Sequence, residues 1–394
     1  IRDITGKERG LAEVVSVETG SVSLIPVQAI GSVRPGDRID LLPERSEIPV
    51  GDAFSGRLVD ATGQALDDAG PLDAIRVVSA HRPAPKPLAR TSQLSALETG
   101  VRAIDALLPV ARGQRIGIFA AAGVGKTTLV TQMARQTRCD HCILCLVGER
   151  GREVEAMWSH VTGGEPNAKV TAVIATSDES ASLRVRAVEQ ALALAEYWRD
   201  AGRDVLIVFD SITRYAMALR EIGLAAGLPP TLRAYTPNVF SMLPRIVERC
   251  GALKSGGSIT GLFTVLSETD DIDDPIVEAM KSFLDGHLVL SRELAEVGHF
   301  PAIDVPASIS RLAPDLFTQP ELGVARQAAA LLATLKRSRL LIESGMYQAG
   351  SDPQIDRALS MKPSLDDFTA QDPNTSVSSR AARQTLSALL GDGS

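Results

Sequence analysis

The stretch RIGIFAAAGVGKTTLV, residues 115–130, constrains this chain more than any other. A short apolar run leads into Gly123-Val124-Gly125-Lys126-Thr127, and helix-forming residues follow. Strand, glycine-rich turn and helix in that order aim backbone N–H groups and a helix N-terminus at one anion, which is what a triphosphate needs. Ala121, Ala122, Gly123, Val124 and Gly125 form the wrap, and Lys126, Thr127 and Thr128 open the helix. Lys126 is the expected partner of the β- and γ-phosphates, and the Thr127 hydroxyl the expected Mg²⁺ ligand. Ala120 stands where such loops usually begin with glycine, a change that an ordinary backbone angle tolerates. A chance Gly-Lys-Thr before a helix is the bland alternative, and the strand in the right place argues against it.

A phosphate loop also needs a carboxylate at the end of another strand. In DVLIVFDS, Asp210 is the first charge after an apolar run, placed to hold Mg²⁺ through a water molecule. An ordinary strand-capping Asp is the competing reading. A third run, HCILCLV, lies between these two and ends at Glu149-Arg150. It follows Cys139 and contains His141, Cys142 and Cys145, a spacing that invites a metal reading. On a strand, Cys142 and Cys145 point to opposite faces, and Cys139 and Cys145 share a face only at about 20 Å if all the residues between are extended. Were Cys139, His141 and Cys142 in a loop, they would supply three ligands with no fourth in reach. The cysteines therefore read as core filling. Glu149, at the carboxyl end of a strand beside the phosphate loop, is placed to polarise an attacking water.

Around these motifs the chain divides into segments. Its 394 residues exceed what one core usually supports. Residues 1–80 show short β runs every eight to twelve residues, which predicts a small β-barrel or sandwich, and 81–92 (HRPAPKPLARTS) a semi-extended linker. From 93 to 321 five apolar runs of the buried, parallel-sheet kind alternate with helices. In one of these helices Leu183, Ala187, Ala191, Leu194, Ala195 and Trp198 share a face. From 322 to 394 the strand signal stops and amphipathic helices remain. The fold class is thus an N-terminal β-barrel, a central α/β domain and a helical C-terminal domain. A net charge of −7 and 4% aromatic residues offer little for gripping nucleic acid. No run approaches the ~20 apolar residues of a membrane span, and no signal peptide is evident, although the sequence opens without Met. Four cysteines in such a chain are not a disulfide framework, so the default compartment is cytoplasmic.

GERGREVEAMW, LIVFDSITRYAMALREIGLAAGLPP, LDGHLVLSRELAEVGHFPAIDVPASISR and YQAGSDPQIDRAL together resemble the export ATPases of flagellar and injectisome type III secretion, relatives of the F-type ATP synthase β subunit. The resemblance runs through nearly the whole chain. It implies a RecA-like P-loop domain with a mainly parallel sheet, ATP hydrolysis with Mg²⁺, and a homohexamer with active sites at subunit interfaces. Residue by residue, Glu149 matches the catalytic base, Arg150 a phosphate-contacting arginine, Lys126, Thr127 and Asp210 the phosphate and magnesium residues, and Arg311 an arginine finger serving the neighbouring subunit. Phe300 falls where a tyrosine commonly stacks on adenine, and keeps the π-face. Implied partners are a stator or regulator protein, a central stalk, export chaperone–substrate complexes and a membrane export gate, with the ATPase cytoplasmic and peripheral at the inner membrane.

Departures are the triple alanine and LRAYTPNVF in place of the family's Gly-Tyr-Pro stretch. The sequence also opens inside the first barrel strands, without the N-terminal extension associated with assembly and regulator binding, so weaker assembly is expected. The AMALREIGLA and GSDPQIDRA stretches lean flagellar. Competing classes are a rotary synthase subunit, which reads GERTRE rather than GERGRE, a non-catalytic nucleotide-binding subunit, which lacks the glutamate, and a ring-shaped RNA translocase.

Overall fold

The computed structural model describes residues 1, 7, 10–28, 30–40, 47–73, 76–163, 169–266 and 274–391. Parts of the expected N-terminal barrel and the last three residues of the helical tail lie outside the described residues. The chain opens with β1 (Ala12–Glu18) and β2 (Ser21–Pro26), an antiparallel hairpin turning at Gly20, φ 88°. Next come β3 (Glu47–Val50), β4 (Leu58–Asp60) and β5 (Arg76–Ser79), with β3 and β5 paired antiparallel. The short pair β6 (Ala96–Leu97) and β7 (Val110–Ala111) brackets α1 (Arg102–Leu107).

All five apolar runs read from the sequence are strands. In chain order the central part holds β8 (Arg115–Ala120), α2 (Lys126–Gln136), β9 (His141–Val147), α3 (Gly151–Thr162), β10 (Val170–Ala175), α4 (Ala181–Asp200), β11 (Asp204–Asp210), α5 (Ile212–Ala225), α6 (Pro237–Arg249), β12 (Gly251–Ala252) and β13 (Ser258–Leu266). It continues with α7 (Pro275–Phe283), β14 (Gly286–Val289), α8 (Arg292–Glu296), β15 (Ile309–Ser310) and α9 (Ala313–Leu316). The sheet order is β15-β14-β8-β13-β11-β9-β10-β4, parallel from β14 to β4, with β15 antiparallel at one edge and β12 pairing off the path with β13. Helices pack on both faces and divide the interior into two cores. The predicted face of α4 lies in one of them, with Leu183, Ala187, Ala191, Leu194, Ala195 and Trp198 all buried.

The alternation along β9 explains its cysteines. Cys142, Leu144 and Leu146 face one core, and Ile143, Cys145 and Val147 the other. The sheet itself separates Cys142 from Cys145, and burial pushes both thiols up in pKa, away from the thiolate that a metal ligand must be. Cys139 precedes the strand and packs on the Cys142 side, so the face it would share with Cys145 on a fully extended run does not exist.

Two segments behave differently from the sequence reading. Leu58–Asp60, counted with the N-terminal strands, pairs in parallel with β10 and extends the central sheet. Such pairing joins residues more than a hundred positions apart, and three residues carry no local sign of it. The proline-rich stretch 81–92 is strapped along the central domain. Arg90 donates to the Cys250 carbonyl at 2.6 Å, Thr91 N–H to Ala252 O at 3.1 Å, and Lys254 N–H to Ala89 O at 2.9 Å. Nearby, Arg249 meets Glu196 through two bonds of 2.7 and 3.0 Å. Removing one member of a buried pair like this costs about 3–5 kcal/mol.

The tail is helical, as expected: α10 (Gln319–Glu343), α11 (Pro353–Thr369) and α12 (Ser379–Gly391). α10 starts three residues before residue 322 because Pro320 suits the first turn and the Glu321 carboxylate accepts from the Thr318 N–H at 2.8 Å. Among the described residues, no helix is long and apolar enough to cross a membrane.

Candidate nucleotide site

The phosphate loop joins β8 to α2 at the carboxyl end of the sheet. Val124 is buried and anchors the loop, while Ala122, Gly123, Thr127 and Thr128 stay exposed. Gly125 caps α2 with φ 87°, a left-handed angle, and a Cβ there would come within 3.0 Å of the Phe300 ring. Glycine is therefore required twice over, by backbone angle and by the ring. The first N–H groups of α2 have no partner within the helix and face the loop's opening.

Three strand ends converge on this loop. Lys126, at the first position of α2, forms an ion pair with Asp210, the last residue of β11. Its Nζ lies 3.8 Å from Glu149, which follows β9. Thr264, on β13, donates its hydroxyl to Asp210 at 2.7 Å. Asp210 is 1% exposed, so its charge depends on these two partners. Burial raises the Glu149 pKa to about 7; Lys126 pulls it down and Asp210 pushes it up again. A carboxyl poised near neutrality suits a general base. A base acts when deprotonated, so kcat/KM for ATP is expected to rise with pH through about 7 and level off above it. A pH–rate profile checks this; a profile flat from pH 5.5 to 8.5 would contradict it.

The remaining predicted residues fall in different places. Phe300 stands against the phosphate loop and lines a cavity of about 420 Å³ together with Arg102, Ala370, Gln371, Asp372 and Thr375. Arg150 caps α3 and its side chain is 75% exposed, paired at 3.8 Å with Glu153 rather than with the other site residues. Arg311 is exposed and follows β15. Ser310 pairs with Gly286, and Gly286 with Ile116, so Arg311 lies near the start of β8. The loop opens after Ala120, about 13 Å farther along the strand. Arg311 is thus remote from its own chain's phosphate loop.

Two features went unread in the sequence. The C-terminal wall of the cavity is held by Gln371, whose amide oxygen accepts from Arg102 N–H at 2.8 Å and whose amide nitrogen donates to Gly100 O at 2.8 Å. Nothing local joins residues 269 positions apart. Arg214, one turn after Asp210, packs its stem on Gly148 beside Glu149, and its Nε is buried without a partner among the described residues. An arginine four positions past the strand-end aspartate was a usable signal.

Residues 100–310 match the model of the ATP synthase alpha/beta family, nucleotide-binding domain. The chain belongs to that family. Residues 317–388 match the type III secretion EscN ATPase C-terminal domain, which gives this family member its branch. Among curated relatives, the flagellum-specific ATP synthase of Pseudomonas aeruginosa is 43% identical over 97% of this chain and 85% of its own length. That of Salmonella typhimurium is 43% identical over 91% and 81%, and that of Bacillus subtilis 42% identical over 97% and 87%. The assembled ATPase EscN of the enteropathogenic E. coli type III secretion system superposes with a TM-score of 0.92 at 38% identity, covering 98% of this chain and 94% of that one. EscN in complex with its central stalk EscO gives 0.88 at 38% identity, with the same coverage. The matched nucleotide-binding region spans the phosphate loop, Glu149, Asp210 and Phe300.

The donor set suits Mg²⁺: a threonine hydroxyl opening α2 and a carboxylate ending β11 are hard oxygen ligands on either side of the loop.

Proposed function

We propose that this chain hydrolyses ATP to drive protein export through a flagellar-type secretion apparatus, with active sites completed between copies in a homohexameric ring. The observation that carries the chemistry is the meeting of Lys126, Asp210 and Glu149 at three strand ends beside a helix N-terminus. ATP entering the loop draws Lys126 from Asp210 onto the β- and γ-phosphates. Thr127 and Asp210 are the residues that would hold Mg²⁺, which supplies charge neutralisation on the phosphates. Glu149 accepts a proton from the attacking water, and Arg150, the residue that caps α3 next to it, is the proposed phosphate-contacting arginine. Arg311 offers its charge to the neighbouring copy, because within its own chain it lies at the far end of β8. Family membership supports the export role, and the flagellum-specific names of the relatives support the flagellar leaning. EscN's complex with its stalk supports a central stalk protein as partner here. A regulator, chaperone–substrate complexes and an export gate at the inner membrane complete the proposed set.

The adenine base is assigned to the cavity lined by Phe300. Base–aromatic stacking is worth about 1–3 kcal/mol, so Phe300→Ala is expected to raise KM for ATP about 5- to 150-fold while Phe300→Tyr leaves it near wild type. Steady-state kinetics of the two variants distinguish stacking from a merely structural ring.

The function is tested by ATPase rate per mole of chain against chain concentration. A specific activity that climbs with concentration, and is lost in Arg311→Ala by about 10³-fold, is the expected result. A flat rate unaffected by Arg311→Ala would leave only a nucleotide-binding subunit.

A further inference from the structure

We propose that the ion pair of Arg115 with Asp285 is the positioning device for Arg311, an inference that rests on Arg311 serving the neighbouring copy's nucleotide. β15, which delivers Arg311, is only two residues long and lies at the sheet edge with β14 as its partner strand. So short a ladder does not hold its own end in place. Gly286 allows the closest approach, since a Cβ there would stand 2.5 Å from Ile309 O. Beyond the ladder, the Arg311 N–H donates to the Asp285 carbonyl at 3.3 Å.

Asp285 is in turn gripped by the first residue of β8. The Asp285 Oδ2 accepts from the Arg115 backbone N–H at 3.0 Å and from its Nε at 2.9 Å, and Oδ1 accepts from Nη2 at 2.8 Å. The Asp285 N–H donates back to Arg115 O at 2.9 Å. A two-pronged guanidinium–carboxylate grip fixes orientation as well as distance. Glu248 accepts from the far side of Arg115 and is itself paired with Arg90 at 3.0 Å. The strap around the central domain thus ends in the same network. Neither Arg115 nor Asp285 reaches the chain's own phosphate loop, which leaves from the other end of β8. Their contribution to catalysis runs through Arg311.

A catalytic group displaced by 1 Å loses about 100-fold in rate. Arg115→Met is therefore expected to lower kcat about 10- to 100-fold with KM for ATP within about twofold of wild type, and Arg115→Lys, which cannot make the fork, to recover part of the loss. Asp285→Asn keeps the carbonyl that holds Arg311 and should give a milder fall of the same kind; it carries the test if Arg115→Met does not fold. The decisive readout is mixing. Arg115→Met chains have an intact base and a misplaced finger, and Glu149→Gln chains the reverse. Random rings from an equal mixture hold intact sites at about a quarter of their interfaces, and activity should return accordingly. Unchanged kcat in both Arg115→Met and Asp285→Asn overturns the proposal. A fall that mixing fails to rescue also overturns it, because Arg115 then acts on its own phosphate loop through β8. Arg311→Ala runs alongside: full activity there would refute the finger itself, a separate failure.

Discussion

Glu149→Gln is expected to lower kcat by about 10²- to 10⁴-fold while ATP binding stays as tight as wild type or becomes tighter. Glutamine fills the same space at the end of β9 and keeps a hydrogen-bonding head. It removes only the negative charge and the proton-accepting oxygen. That charge sits 3.8 Å from Lys126, the proposed partner of the phosphates, so its loss is expected to free Lys126 rather than weaken the cradle. Single-turnover hydrolysis and equilibrium binding of a fluorescent ATP analogue separate the two effects. The bend near pH 7 in kcat/KM should vanish in the same variant, since it is this carboxyl whose pKa burial raises to about 7. A variant that retains the bend, or that loses binding together with turnover, would exclude Glu149 as the base.

Lys126→Met should abolish nucleotide binding at millimolar ATP and also destabilise the empty protein. Lys126 is the cation between two carboxylates, one almost wholly buried. Breaking such a pair costs about 3–5 kcal/mol when the leftover charge cannot escape. Here it can, by protonation. The penalty is expected to be fully developed above neutral pH and to shrink as pH falls and Glu149, whose pKa burial raises to about 7, takes up a proton. Denaturant titrations of wild type and variant at pH 8.5 and pH 6 give the difference directly. A variant equally destabilised at both values would mean that Lys126 holds the fold by packing alone.

Much of the nucleotide site was legible because its residues stand at the ends of apolar runs. The glycine loop follows β8, Glu149 follows β9 and Asp210 ends β11, and each run announces its own strand. The alternation of HCILCLV is enough to set Cys142 and Cys145 on opposite faces, where the two cores hold them. What the sequence withheld is what depends on contacts between distant positions. β4 is three residues long and joins the sheet through a neighbour in space, not in sequence. One wall of the cavity beside Phe300 comes from the linker between α11 and α12, tied through Gln371 to the head of α1. The resemblance supplied Arg311 and Phe300 as names for roles, but the remoteness of one from the phosphate loop and the closeness of the other are facts of register and packing. Arg150, a phosphate-contacting arginine by resemblance, is exposed beside Glu153.

β8 has one further consequence. Its six residues begin beside the mount of Arg311, the proposed finger, and end where the same chain's phosphate loop opens, a span of about 17 Å. In a ring, each copy would then carry a stiff rod with a separate reaction at either tip, its own at one end and its neighbour's at the other. Strain at one tip would then have a direct route to the other along the strand. Successive firing around the circle would need no messenger beyond that rod, and reciprocity requires the finger's engagement next door to be felt at home in the grip on ATP.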